Sequence, residues 1–116
     1  MSLLIVFQKY DLGNALLLTP FLKSIYDSVG LFDMVTTARV KTIFEPYAFV
    51  NKFFLSERRE DPKRVISEIG GCHYDSVLIL TDYKESIEIG LMSNAAYTIG
   101  PSPVFDLSYE FRNNQY

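Results

Sequence analysis

The residues of this chain that could do chemistry lie in two short polar stretches, each of which follows an apolar run. The first stretch runs from Lys9 to Asn14, after LLIVF at positions 3–7. Asp11 could act as a general base, since a carboxylate can accept a hydroxyl proton if its pKa is tuned. The backbone N–H groups around Gly13 could hold an anion where the following helix begins. The simpler interpretation is a structural turn, because the stretch lacks the glycine repeats of a dinucleotide site and the Gly-Lys-Ser/Thr of a P-loop.

The second polar stretch is TDYKES at positions 81–86, which follows another apolar run. Lys84 could pair with an acidic group of a substrate. In the simpler interpretation, Thr81 or Asp82 caps the next helix, and the charged side chains face water.

Two other groups of polar residues are interpreted as structural. The basic residues of positions 56–64 alternate with acidic ones, which indicates a solvated charged loop rather than an anion site. The only cysteine and the only histidine, Cys72 and His73, precede an apolar run. One cysteine cannot form an internal disulfide, and without a second Cys or His cluster we expect no metal site.

Alternation of apolar runs and helix-like periods predicts a three-layer α/β domain of Rossmann-like type with a mainly parallel sheet. The expected strands are 3–7, 31–38, 50–55, 75–80 and 96–100, and the expected helices are 14–29, 40–47, 62–69 and 84–94. Asn14 is the expected N-cap of the first helix. The expected strand order is 3-2-1-4-5. Ligands of such sheets bind beyond the carboxyl ends of the strands, so the two polar stretches should share one crevice.

Four apolar residues of the first helix, spaced by four, are expected to face the core: Leu17, Phe21, Ile25 and Val29. In the fourth helix the expected inner residues are Ile87, Ile89, Leu91 and Met92.

Composition excludes several classes of function. The chain has 116 residues, which suits a single domain, and a net charge of -3, which gives no basic footprint for nucleic acid. No apolar run approaches the roughly 20 residues of a transmembrane helix. The single cysteine agrees with a reducing, cytoplasmic compartment.

Several motifs together resemble the N-terminal domain of family 9 glycosyltransferases, the heptosyltransferases of lipopolysaccharide core assembly. The apolar first strand is followed by Leu-Gly-Asn at 12–14 and by Leu-Leu-Leu-Thr-Pro at 16–20. YAFVNK at 47–52, YDSV at 74–77 and TIG at 98–100 occupy the places of later family motifs. The likeness covers positions 3–100 in the family's order and spacing.

The resemblance implies one half of a GT-B enzyme, with residues 1–100 as the acceptor-side domain and residues 101–116 as a tail or the start of a missing continuation. The partner implied is a lipopolysaccharide-type or other glycan acceptor, with the nucleotide-sugar donor held by the missing domain. Transfer would be inverting and need no metal or cofactor. We expect a cytoplasmic enzyme, located at the inner face of the inner membrane.

The candidate site combines both polar stretches. Asn14 occupies the position of the family's catalytic Asp, and Asp11 is the nearby carboxylate. The residues expected to bind the acceptor are Lys9, Gly13, Thr81, Asp82 and Lys84.

Three features depart from the family pattern. An amide at Asn14 has no carboxylate and cannot act as a general base. Gln8 and Glu85 stand where basic residues are common. Without a donor domain the reacting groups are not brought together, so we expect this chain alone to be inactive.

Two alternatives follow from these departures. One is a stand-alone, non-catalytic binding domain or homodimer that kept the fold. The other is a different small enzyme that uses Asp11 or Asp82 as its base.

Overall fold

The computed structural model describes residues 2–9, 11–57 and 59–100, so the predicted tail at 101–116 lies outside the described residues. Strands and helices alternate from end to end of the described chain, as predicted. In order they are β1 (Leu3–Val6), α1 (Leu12–Val29), β2 (Phe32–Thr36), α2 (Ala38–Phe44), β3 (Val50–Leu55), α3 (Lys63–Ile69), β4 (Ser76–Ile79), α4 (Lys84–Leu91) and β5 (Tyr97–Ile99).

The five strands form one sheet in the order β3-β2-β1-β4-β5, which confirms the predicted order. Each of the four neighbouring pairs is parallel. The central strand β1 pairs with β2 through Ile5 and Met34 and with β4 through Ile5 and Leu78. All four residues of β1 are buried, because helices cover both faces of a parallel sheet at its centre.

Two hydrophobic clusters lie on the two faces of the sheet. On one face, α1 and α2 bury residues that include Ile5, Met34 and Phe44. On the other face, α3 and α4 bury residues that include Leu4 and Val77. This division follows from right-handed crossovers on either side of β1.

Helix α4 approaches β4 closely because of a glycine. A Cβ atom added at Gly90 would meet the side chain of Ile79, with Cγ1 at only 2.5 Å. A larger residue at position 90 would force either the Ile79 side chain or the helix to shift.

Helix α1 begins two residues earlier than predicted, and Asp11 rather than Asn14 is its N-cap. The Asp11 side chain accepts a hydrogen bond from the backbone N–H of Gly13, which is the usual role of an N-cap carboxylate. Asn14 therefore lies inside the first turn, and its predicted capping role is wrong.

The buried stripe of α1 also differs from the predicted one. Ala15 and Leu22 are fully buried, whereas Leu17 is 79% exposed and Phe21 is 44% exposed. Ile25 and Val29 pack only partly against the core. The helix thus has an exposed apolar side as well as a buried one. Within the part of the chain that the structure describes, no helix combines the length and apolar character needed to cross a bilayer.

Candidate functional site

The two polar stretches lie together at the carboxyl edge of the sheet, where β1 and β4 end side by side. The backbone N–H of Gln8 donates to Thr81 Oγ1 at 3.3 Å, which joins the two loops directly. The ammonium of Lys9 lies 5.6 Å from the centre of the Tyr83 ring, a cation–π distance. Parallel pairing of β1 with β4 therefore produces the shared edge that the sequence predicts.

Asp11 is the exposed carboxylate at the start of α1, and two donors fix its orientation. Its Oδ1 accepts from the Gly13 N–H at 2.8 Å, and its Oδ2 accepts from the Asn14 amide nitrogen at 3.1 Å. Each carboxylate oxygen keeps a further lone pair for a ligand. The arrangement can present a fixed acceptor to an incoming hydroxyl group, which is the geometry a general base requires.

The same contacts bear on the anion site around Gly13, which was considered beside the simpler interpretation of a structural turn. The Gly13 N–H points at the Asp11 carboxylate instead of outward, so a negative charge already sits at this helix start. A ligand anion here would meet that charge. The structure accordingly favours a hydroxyl ligand over an anionic one at this position.

Buried beneath the edge is a polar network that the sequence reading did not identify. The Ser86 hydroxyl donates to Gln8 Oε1 at 2.7 Å and accepts from the Thr81 hydroxyl at 2.6 Å. The Gln8 amide nitrogen donates to the carbonyl of Ser56 at 3.0 Å. All four residues are at most 1% exposed. The network joins the ends of β1, β3 and β4 to α4.

The one feature of the sequence that could have indicated this network is Gln8, a large polar residue directly after an apolar strand. The network also involves Thr81, which was predicted to bind the acceptor. The Thr81 hydroxyl is buried and donates to Ser86. The hydroxyls of Thr36 and Ser56 are buried at the same edge and have no hydrogen-bond partner among the described residues.

Carboxylates also occupy backbone donors in the loop that follows β3. Glu57 accepts from the Ala38 N–H at 2.9 Å, at the start of α2. Glu85 accepts from the Arg59 N–H at 2.6 Å and so ties this loop to α4. Glu85, which stands where the resemblance expects a basic residue, therefore has a structural role.

Of the basic residues at positions 56–64, Arg64 pairs with two neighbouring carboxylates. Arg64 is within 3.1 Å of Glu60 and 2.6 Å of Glu68. The Glu57 backbone N–H, more than the nearby Arg64, holds the pKa of Glu60 below its usual value.

The two remaining candidates in the second loop are on the surface. Asp82 and Lys84 are exposed, and Lys84 is the first residue of α4. The N-cap of α4 is Tyr83, so neither Thr81 nor Asp82 has the capping role considered for it. Of the predicted residues, the structure brings Asp11, Gly13 and Asn14 together at one helix start. Across the two loops, Lys9 contacts Tyr83, and Thr81 is joined to Gln8.

Cys72 and His73 lie at the opposite, amino edge of the sheet, just before β4. Nearby, Tyr74 donates to Asp33 Oδ2 at 2.6 Å, and burial together with this bond raises the pKa of Tyr74. No group of three or more His, Cys, Asp or Glu residues suited to a metal ion occurs in residues 2–9, 11–57 and 59–100.

The architecture and edge define a class of fold: a Rossmann-like α/β domain of the type found in GT-B glycosyltransferases. The structure of a family 9 glycosyltransferase from Veillonella parvula matches it with a TM-score of 0.75 and 18% sequence identity. E. coli heptosyltransferase WaaC, solved with ADP-2-deoxy-2-fluoro heptose, matches it with a TM-score of 0.57 and 17% identity.

These matches cover 84% and 88% of this chain but only 30% and 44% of the two solved chains. The chain therefore spans less than half the length of the proteins that it resembles. No family model and no curated protein matches the sequence. At these identities the similarity establishes the fold, and the fold predicted from the sequence motifs is confirmed.

Proposed function

We propose that this chain is the acceptor-side half of a heptosyltransferase-like glycosyltransferase. In the full enzyme it would hold a lipopolysaccharide-type or other glycan acceptor while a separate domain holds the nucleotide-sugar donor. The observation that supports this most is the shared carboxyl edge of β1 and β4, where the two predicted loops are in contact and the first carries an exposed, oriented carboxylate. The matching fold of two glycosyltransferase structures supports it as well.

In the proposed mechanism, Asp11 takes the proton from the acceptor hydroxyl as that oxygen attacks the anomeric carbon of the donor sugar. The bond from this carbon to the nucleoside diphosphate breaks, and the diphosphate leaves with the electron pair on the donor side. Asn14 cannot take this proton, but its amide orients the Asp11 carboxylate from 3.1 Å away. The base would thus lie three positions before the family's catalytic position. Lys9 and Lys84 would contact the outer part of the acceptor. Inverting transfer of this kind needs no metal or cofactor from the chain.

Catalysis further requires that donor and acceptor be held together, which is worth several kcal/mol of the barrier in an oriented complex. An acceptor half alone lacks this contribution, so the 116-residue chain should be inactive. By the resemblance, we place the full enzyme in the cytoplasm, at the inner face of the inner membrane.

A second candidate is a stand-alone glycan-binding or dimerisation domain. The observation in its favour is Asn14, an amide where the resemblance expects a carboxylate. Such a domain would bind a glycan without transferring a sugar in any natural context.

The test compares the 116-residue chain with the longest natural protein that contains it, both supplied with ADP-heptose and with UDP-sugars as donors. We expect sugar transfer to a lipopolysaccharide-core oligosaccharide only by the longer protein. Transfer by the short chain would refute the assignment to one half of an enzyme. Glycan binding without transfer by the longer protein would establish the second candidate instead.

A further inference from the structure

The four helices of the described chain all begin at the carboxyl edge of the sheet, where the candidate site lies. At such a start the backbone N–H groups and the helix dipole favour a negative charge, which is why phosphates commonly bind there. In this chain a carboxylate of the protein lies at each of the four starts. The places where an anionic ligand would bind are therefore already taken by the chain's own charges.

Hydrogen bonds show this directly for three of the helices. Asp11 accepts from the backbone N–H of the second residue of α1 at 2.8 Å. Glu57 accepts from that of the first residue of α2 at 2.9 Å, and Asp61 accepts from that of the first residue of α3 at 2.9 Å. Helices α2 and α3 begin outside the two loops of the candidate site, so Asp11 is the one of these three carboxylates that a ligand of the site would meet.

At α4, which begins in the second loop, the carboxylate is that of Glu85 in the first turn of the helix. It is held in place by the backbone N–H of Arg59, at 2.6 Å. The exposed carboxylate of Asp82 precedes the same helix. Positions 8–14 and 81–86 together contain three carboxylates and two lysines. The two loops thus carry no excess of positive charge for an anionic ligand.

These charges distinguish a neutral ligand from a charged one. A phosphate monoester carries a charge of about −1.5 to −2 at neutral pH, so Asp11 and Glu85 repel it from the starts of α1 and α4. A sugar hydroxyl carries no charge and can donate a hydrogen bond. Each carboxylate oxygen of Asp11 keeps a lone pair that can accept this bond, beside the donor that already holds it.

We propose that the candidate site selects a neutral sugar residue and rejects one that carries a phosphate beside the accepting hydroxyl, with Asp11 and Glu85 as the residues that determine this selectivity. The inference rests on the proposed function and narrows its acceptor. The sugar residue at the site is uncharged, whatever groups the outer part of the acceptor carries.

The test is an NMR titration of the isotopically labelled 116-residue chain with two forms of one probe. One form is a lipopolysaccharide-core oligosaccharide that carries phosphates, and the other is the same oligosaccharide after phosphatase treatment. The amide signals of residues 11–14 and 81–85 should shift with a Kd about fivefold lower for the dephosphorylated form, since repulsion between close unit charges in water has an effect of this size. Added salt should reduce the difference, because it screens the repulsion.

The double variant Asp11→Asn/Glu85→Gln removes both charges and keeps an oxygen acceptor at each position. It should reduce the difference between the two forms to less than about twofold, because binding of the phosphorylated form strengthens when like charges are removed. The matched control is Asp27→Asn/Asp75→Asn, which removes two exposed carboxylates at the opposite, amino edge. This control should keep the wild-type difference.

Equal or tighter binding of the phosphorylated form, with the same amides shifted, would overturn the inference and leave the proposed function standing. A difference between the two forms that is unchanged in Asp11→Asn/Glu85→Gln, or that is lost equally in the control, would also overturn it. Shifts by neither form would contradict the proposed function itself, and the inference with it.

Discussion

In the longest natural protein that contains this chain, Asp11→Asn is expected to lower kcat of sugar transfer by about 10²- to 10⁴-fold. This is the usual contribution of a general base. The structure separates this chemical role from the capping role of Asp11. Asn caps helices about as well as Asp, so the helix should persist, and the unfolding free energy should change by less than about 0.5 kcal/mol. The measurement is a steady-state transfer assay combined with urea unfolding.

The matched control is Asp61→Asn, which removes an exposed carboxylate outside both loops that accepts from the Lys63 N–H at 2.9 Å, as Asp11 accepts from the Gly13 N–H. Its kcat should remain within about twofold of wild type, since surface substitutions usually change free energies by no more than about 0.5 kcal/mol. A large loss in Asp82→Asn with little loss in Asp11→Asn would move the base to the second loop.

A double variant tests the position of the base within α1. Asp11→Asn with Asn14→Asp exchanges the carboxylate and the amide that now lie 3.1 Å apart. We expect this exchange to recover part of the activity lost in Asp11→Asn, because it restores a carboxylate to the site that the family resemblance assigns. Activity no better than that of the single variant would show that a carboxylate at position 14 cannot replace the one at position 11.

The second large effect concerns stability. Gln8→Leu should lower the free energy of unfolding by about 3 kcal/mol, because it leaves a buried hydroxyl donor without its acceptor and a buried carbonyl without its donor. These groups are the Ser86 hydroxyl, which now donates to Gln8 Oε1, and the Ser56 carbonyl, which accepts from its amide nitrogen. Leucine has nearly the same size, so lost packing contributes little. Urea unfolding followed by circular dichroism measures the change.

Two variants control this prediction. Asn51→Leu replaces an exposed amide and should cost no more than about 0.5 kcal/mol. The double variant Gln8→Leu/Ser86→Ala should lose about 1 kcal/mol less unfolding free energy than the two single variants lose in sum. The two residues belong to one network, so their effects are not additive. A cost of Gln8→Leu as small as that of Asn51→Leu would show that the network adds nothing to stability.

Strand order and sheet direction could be predicted because β1 and all of β4 except Ser76 are short apolar runs separated by helical periods. Such runs are typical of strands buried on both faces, and the alternation leaves few topologies open.

Inner residues of the helices were harder to predict. Leu91 and Met92 were expected inside, but they are 53% and 57% exposed, because Gly90 is the residue that meets β4.

At the candidate site, sequence identified the two loops but not the roles within them. Asn14 and Asp11 are both good N-caps, and only the backbone path shows that the helix begins at Leu12. The network around Gln8 joins residues up to 78 positions apart, and no local pattern reports such a contact. Thr81 therefore looked like a surface ligand although its hydroxyl is internal.

The central claim is that this chain is the acceptor-side half of a glycosyltransferase, and an NMR titration of the isotopically labelled 116-residue chain tests it most directly. A lipopolysaccharide-core oligosaccharide should shift the amide signals of residues 11–14 and 81–85, while ADP-heptose at the same concentration should leave them in place. Shifts of these amides by ADP-heptose and not by the oligosaccharide would contradict the account.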